Sequence, residues 1–372
     1  MSVDSAPSLI VASVLVHEIL EKLYYIEPEG RIDRHSLLHC STVCRLWAGP
    51  AQRLLFRSLV LTTAGHAEAF CLAISRNHLK TAGLFSNVRI LTLMVDVRWR
   101  KAGVSPNLFA QLVTKCVCLY ELSISAPSVH ALDQETLDTL SDIPPIKSLN
   151  ILKAGVQSIL LYQLLLLAPS VRHLHLTPEL HATPPDEPAR FRLFELSTFR
   201  APHPDVLTWL LGASHDSLRI LEMWDMCNND TMRALMQRHG HHLLSLRIKR
   251  ANYLAAEMIQ NCPNLKELMT WYFHVVTGHW DIPSTVEHLL FLNPPHPNTY
   301  TLGPILYAVR QLPNLRLVTC DENTTEHADF QNLRSLCEEF GVELRSIALR
   351  FTIVSAISLL IYTMNSILLH YS

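Results

Sequence analysis

One short pattern, apolar-x-x-apolar-x-apolar, constrains this chain more than any other feature. It occurs eleven times between residues 88 and 349. The copies read VRILTL (88), LYELSI (119), IKSLNI (146), VRHLHL (171), LSTFRA (196), LRILEM (218), LLSLRI (243), LKELMT (265), VEHLLF (286), LRLVTC (315) and LRSIAL (344). Start-to-start steps run from 21 to 31 residues and average about 26. That period is long enough for one strand plus one return segment, and no unit of that size can bury its apolar face alone. The lead-ins repeat as well. NCPNLKEL, QLPNLRLV and LAPSVRHL each end a helix on Cys, Leu or Ala, turn at Pro, and start a strand. Between strands, segments such as NYLAAEMIQNC place Leu254, Met258 and Cys262 on one helical face. The expected fold is therefore α/β: parallel strands on the concave side of a leucine-rich-repeat-like solenoid over residues 62–350, with helices outside. LSTFRA is the poorest copy, and the Pro-rich TPELHATPPDEPARF (177–191) is expected to be an insertion loop.

Within each copy, strand alternation sends the apolar residues to the core and the intervening ones to the concave side. Three adjacent copies then present Ile220, Glu222 and Trp224; Ser245, Arg247 and Lys249; and Glu267, Met269 and Trp271. Trp and Arg are the residues most enriched at binding hot spots. Glu222, Trp224, Arg247, Lys249, Glu267 and Trp271 are thus candidates to contact a target, unless the two tryptophans tuck under adjoining loops as packing.

Composition removes several functions. With 49% apolar and 17% charged residues the chain is too apolar for general disorder, and a net charge of -2 opposes nucleic-acid binding through an overall basic field. Only 11 glycines occur, with neither G-x-G-x-x-G nor G-x-x-x-x-G-K-[ST], and no G-x-S-x-G elbow is present. No catalytic constellation and no cofactor are expected. The nine cysteines lack a C-x-x-C pair and read as small apolar residues in a reducing compartment. Cys40 and Cys44, HGHH (239–242) and the pair His173, His175 lack the partners a metal site needs.

The N-terminal SLIVASVLV lacks the basic start and cleavage site of a signal peptide, which favours the cytoplasm or nucleus. At the other end, residues 351–369 carry no charge and follow Arg345 and Arg350. Residues 351–372 are thus either a tail anchor in a membrane or a buried final element.

After a tail of residues 1–13, residues 14–61 read as three short helices. VLVHEILEKLYYI places Leu15, Ile19, Leu20 and Leu23 on one stripe. Asp33 or Ser36 caps the second, LLHCSTVCRLW, and Gly49-Pro50 separates it from PAQRLLFRSL. Three helices this short cannot bury all their apolar stripes against one another, so some of that surface needs a partner protein or the first repeats.

The segment resembles an F-box of the form common in fungal families: L-P-x-E-[IL]-L, then V-C-[RK]-x-W, then L-[FW]-R-x-[LIV]. Leu15, Glu18, Ile19, Leu20, Val43, Cys44, Arg45, Trp47, Leu55, Phe56 and Arg57 match, and Val16 stands where the proline is usual. With repeats behind it, the whole resembles the F-box/leucine-rich-repeat architecture. The resemblance implies a non-enzymatic substrate receptor of an SCF-type (Skp–cullin–F-box) ubiquitin ligase. Its head would dock on the Skp adaptor, and through it cullin, while the repeat arc holds a target protein. Leu15, Ile19, Leu20, Leu23, Leu37, Leu38, Val43, Cys44 and Trp47 are the docking candidates. A repeat scaffold without ligase association is the alternative.

Overall fold

The computed structural model describes residues 6–26, 31–75, 83–96, 103–248, 253–271, 282–292 and 301–347. Two bodies of structure appear, a helical head and an α/β region built on one large sheet. Lys249 and the segment 351–372 lie outside the described residues. Among those described, no helix is long and apolar enough to cross a membrane.

The sheet has twelve strands, all parallel and in strict chain order. They are β3 (Ser58–Leu61), β4 (Ile90–Met94), β5 (Glu121–Ala126), β6 (Ser148–Ala154), β7 (His173–Leu176) and β8 (Glu195–Thr198). β9 (Ile220–Met223), β10 (Ser245–Ile248), β11 (Glu267–Trp271), β12 (His288–Leu292), β13 (Leu317–Asp321) and β14 (Glu343–Ile347) complete it. Each strand pairs with its immediate predecessor and successor, so every connection is one strand–return–strand step.

Register explains why the sequence repeats. The fourth position of every copy falls in one row across the sheet: Leu59, Leu91, Leu122, Leu149, Leu174, Leu196, Leu221, Leu246, Leu268, Leu289, Val318 and Leu344. Most of this row is fully buried and joins a single core with the return helices. Burying one leucine contributes about 1.5–3 kcal/mol, and the repeat keeps that contribution in every strand.

The return helices are α4 (Ala64–Ser75), α5 (Pro106–Lys115), α6 (Gln134–Leu140), α7 (Leu160–Leu167), α8 (Pro204–Leu211), α9 (Asn229–His239), α10 (Tyr253–Gln260), α11 (Gly303–Gln311) and α12 (Phe330–Phe340). Several of them start at side chains that accept otherwise unpaired N–H groups. Ser105 accepts from Leu108 N, Asp133 from Thr136 N and Asn228 from Thr231 N. α12 ends on Gly341 at φ 68°, a left-handed cap that glycine adopts without steric cost.

Three details differ from the sequence pattern. The copy expected at 196 starts instead at Leu193, because Leu196 pairs with Leu174 and Leu221 in the fourth-position row. The copy expected at 344 is likewise displaced by three, since Leu344 pairs with Val318. In each case an apolar residue three positions on, Phe199 or Ile347, lets Leu196 or Leu344 pass for the first position, and only pairing shows that it holds the fourth. Finally Ser58–Leu61, which the sequence pattern places at the end of the head, is the first strand of the sheet, with Leu59 opposite Leu91.

The 177–191 insertion is a loop between β7 and β8, as expected, and it is pinned to the helices beside it. Tyr162 Oη donates to Ala182 O at 2.6 Å, and Trp209 Nε1 donates to Glu187 O at 2.8 Å. The Tyr162, Trp209 and Phe191 rings pack edge to face with centroids 5.1 and 5.5 Å apart.

The head contains α1 (Ala6–Leu23), α2 (Arg34–Val43) and α3 (Arg45–Arg57), with a two-residue pair β1 (Tyr25–Ile26) and β2 (Arg31–Ile32) between α1 and α2. Its core is Val16, Leu20, Tyr24, Leu37, Ala51 and Leu54. α1 begins at Ala6, within the expected tail, and Val16 sits mid-helix in that core. A proline at 16 would remove a helical N–H and clash with the preceding turn, so valine suits an uninterrupted α1. The break between the second and third helices lies at Cys44, which is extended at φ -163°, and not at Gly49-Pro50. Pro50 is carried inside α3 and is buried.

Candidate functional site

Two surfaces carry the residues singled out by the sequence: the outside of the head, and the sheet face that bears no helices.

In α1 the buried stripe is Val16 and Leu20, continued by Tyr24 just past the end of the helix. Leu15, Ile19 and Leu23 form the neighbouring stripe and are exposed. In α2, Leu37 is inside, while Leu38 (57% exposed) and Val43 (66%) face out. The docking candidates therefore divide. Leu20 and Leu37 are fully buried and build the head, so they cannot also be contact residues. Trp47 is half-buried against the head core. Cys44 is exposed at the α2–α3 break and packs as no core residue. Asp33 is the cap of α2, accepting from Ser36 N at 3.0 Å, which holds its carboxyl below the usual range. Arg57 ties α3 to α1 through Glu21 at 3.3 Å and lies over the Tyr24 ring at 5.5 Å.

The other surface is the row of third and fifth repeat positions. Glu267 is at its centre. Its carboxylate accepts from Ser245 Oγ at 2.7 Å and Arg247 Nε at 2.8 Å, and meets His288 Nδ1 at 3.2 Å. His288 Nε2 lies 3.0 Å from Thr319 Oγ1, and Arg247 also faces Glu222 at 3.8 Å. These six residues come from β9 to β13, aligned by register alone: Glu222 opposite Arg247, then Ser245 opposite Glu267 and Glu267 opposite His288. Burial disfavours both charges, but it is outweighed on each side. Arg247 and His288 hold the Glu267 carboxyl far below the usual carboxylate range, while Glu267 and Glu222 raise Arg247.

This network corrects one expectation. Glu222, Arg247 and Glu267 do face the helix-free side, but all three are buried and bonded to one another rather than presented to solvent. Arg247 is 3% exposed, and its Nη1 has no hydrogen-bond partner. The tryptophans are half-buried. Trp224 Nε1 donates to Glu222, and its ring stands 5.2 Å from Trp271 and 5.1 Å from Phe199. Beside them Met269, Leu290 and Leu292 make a small apolar cluster, separate from the main core, onto which Trp271 packs.

Two further polar clusters extend the same rows. Asn150 donates to Glu121 at 2.8 Å and to Ser123 at 2.9 Å, and His173 meets Glu195 at 2.9 Å. The candidate surface is thus a polar ladder with an aromatic and apolar end. No family model matches the chain, and no curated protein matches it.

Sequence reasoning missed His288, Thr319, Phe199, Leu290 and Leu292. Their signal was present: reading third and fifth positions across every copy, rather than three, aligns His288 with Glu267. No group of three or more metal-ligating side chains occurs among the described residues, and HGHH and the His173–His175 pair do not assemble one.

Proposed function

We propose that the chain is a substrate-recognition adaptor of an SCF-type ubiquitin ligase, with an F-box head at 14–61 and a leucine-rich-repeat-like solenoid over 62–350. The head docks on a Skp-type adaptor, and through it on cullin. The helix-free face around Trp224 and Trp271 holds a target protein. The adaptor itself performs no chemistry.

One observation carries this reading. The head completes its own core with Val16, Leu20, Leu37 and Leu54, yet leaves Leu15, Ile19, Leu23, Leu38 and Val43 exposed within one small unit. Exposed leucine, isoleucine and valine side chains on a module whose own core is complete are suited to a partner. They lie in the segment whose sequence resembles an F-box.

The test is co-purification of the full chain with a Skp-type adaptor. Ile19→Asp with Leu38→Asp changes only exposed positions, so binding should disappear while the melting temperature holds. Failure of the unaltered chain to bind leaves the alternative, a repeat scaffold without ligase association. Trp224→Ala with Trp271→Ala should abolish capture of the target and spare adaptor binding.

A further inference from the structure

The second position of each repeat lies just before its strand, along the end of the sheet where all twelve strands begin. It is basic in most copies: Arg57, Arg89, Lys147, Arg172, Arg219, Lys266 and Arg316. Toward the two ends of the sheet three of the four cations are neutralised, and Arg89 Nη1 donates to Cys118 O at 3.2 Å. Arg57 pairs with Glu21 at 3.3 Å, and Lys266 and Arg316 share Glu287 at 2.6 and 3.8 Å.

Between β6 and β9 the balance fails. Lys147, Arg172 and Arg219 line one groove with Arg190 and Arg192, which the 177–191 loop and its continuation bring to the same edge. The groove has a volume of about 540 Å³. Two carboxylates answer these five cations: Asp216 pairs with Arg192, and Glu187 with Arg190 at 2.7 Å. Arg219 spends its Nη1 on the carbonyls of Asp216 and Leu218, and Arg172 lies over the Phe194 ring at 5.8 Å. No carboxylate pairs with Lys147 or Arg172 among the described residues. A chain of net charge -2 has therefore gathered a local excess of about three positive charges in one concave place.

We propose that this groove, at the leading edge of strands β6 to β9, docks an extended acidic peptide segment. Strands are about 4.8 Å apart, so the cations line up over roughly 14 Å. That matches about four or five residues of extended chain at ~3.3 Å each. A single small anion would need the cations to converge on one point, and these are spread in a row. A nucleic-acid strand would call for stacking rings and a basic field beyond the groove; the one ring here, Phe194, is covered by Arg172. The proposal is independent of the adaptor reading and uses a different part of the sheet from the tryptophan surface.

The experiment is fluorescence anisotropy on the full chain with a labelled peptide of about eight alternating Glu and Ser residues, sized to overrun the groove. Binding should weaken steeply with added salt, and the same peptide with Gln for Glu should not bind. Lys147→Glu with Arg172→Glu should weaken it at least about tenfold, since each lost contact is a charge-assisted hydrogen bond. Arg310→Glu, an exposed change on α11, should leave affinity unaltered. Should the charge-reversed protein melt early, Lys147→Gln with Arg190→Gln is to be measured in its place. Equal binding of the Gln peptide, full affinity in the reversed variant, or tighter binding of oligothymidylate than of the Glu peptide would each overturn the proposal.

Discussion

Arg247 is the residue on which the helix-free face depends, and replacing it should reverse how stability responds to pH. In the native protein Arg247 lies 2.8 Å from Glu267 and 3.8 Å from Glu222, all three buried. Removing one member of a buried ion pair leaves an uncompensated charge and costs about 3–5 kcal/mol. At roughly 2 °C per kcal/mol for a chain of this length, Arg247→Met should lower the melting temperature by about 6–10 °C near neutral pH.

The pH dependence gives the sharper test. Glu267 has its folded pKa pushed down, so it contributes stability that is present above the unfolded value of about 4.3 and is lost as pH falls through the folded one. Without Arg247 the largest influence opposing burial is gone, and Glu267 should titrate above its unfolded value. Its stabilising form is then the neutral one, present at low pH and lost as pH rises. The deficit of Arg247→Met relative to the native protein should therefore be largest at neutral pH and shrink toward pH 4. Arg247→Met with Glu267→Leu should recover part of the loss, because pair and charge go together. Differential scanning fluorimetry across pH measures these three proteins and Glu267→Leu alone. A deficit that is constant with pH, or a double variant equal to the sum of its singles, would refute coupled burial as the reason these residues cluster.

His239 is buried, and its folded pKa is lowered to about 4, mainly by burial and then by Arg238. Being below the unfolded value of about 6.5, it should cost stability as pH falls from there to about 4, by up to ~3 kcal/mol, and His239→Phe should flatten that limb in pH-scanned melts. A Cβ on Gly240 would collide with the Asn261 carbonyl, so Gly240→Ala should destabilise by roughly 1–3 kcal/mol in denaturant titrations. Leu37→Ala empties the head core and should cost about 2–5 kcal/mol, read as early proteolysis within α1–α3 while the sheet stays protected.

The α/β class and the strands were legible because every strand repeats the same burial problem at the same spacing. Leu122 could be assigned to the core from sequence because the pattern around it allows one frame only, whereas Leu91 and Leu149 were framed rightly although Met94 and Leu152 stand three positions on. Leu196 and Leu344 were misframed because an apolar residue three positions on also satisfies the pattern, and pairing energy, which belongs to the neighbouring strand, decides. The side on which Glu222, Arg247 and Glu267 lie was legible from alternation, but their burial was not. Whether a charged residue on a sheet face meets water depends on what stands opposite, and His288 and Ser245 arrive from strands 21 and 22 residues away from Glu267. The head shows the same limit. Ile19 and Leu20 both fit an apolar stripe, and only the placing of α3 shows that Leu20 is inside and Ile19 outside.

The join between head and sheet bears on the proposed role. α3 ends at Arg57 and β3 begins at Ser58, with no linker between them. The first repeat then fastens on at once: Arg89 N donates to Arg57 O at 2.9 Å, and the Phe56, Phe70 and Phe85 rings follow one another at 6.2 and 5.5 Å. A flexible linker would let a captured target wander, with an effective concentration set by linker length. A direct α3–β3 join instead fixes the angle between the exposed stripe of α1 and the rows carrying Trp224 and Trp271. Inserting a short Gly-Ser segment between Arg57 and Ser58 separates the two ideas. For an adaptor that must present its target in one orientation, both binding activities should survive the insertion while modification of the bound target falls. If transfer to the target is undiminished, the rigid join has no part in presentation.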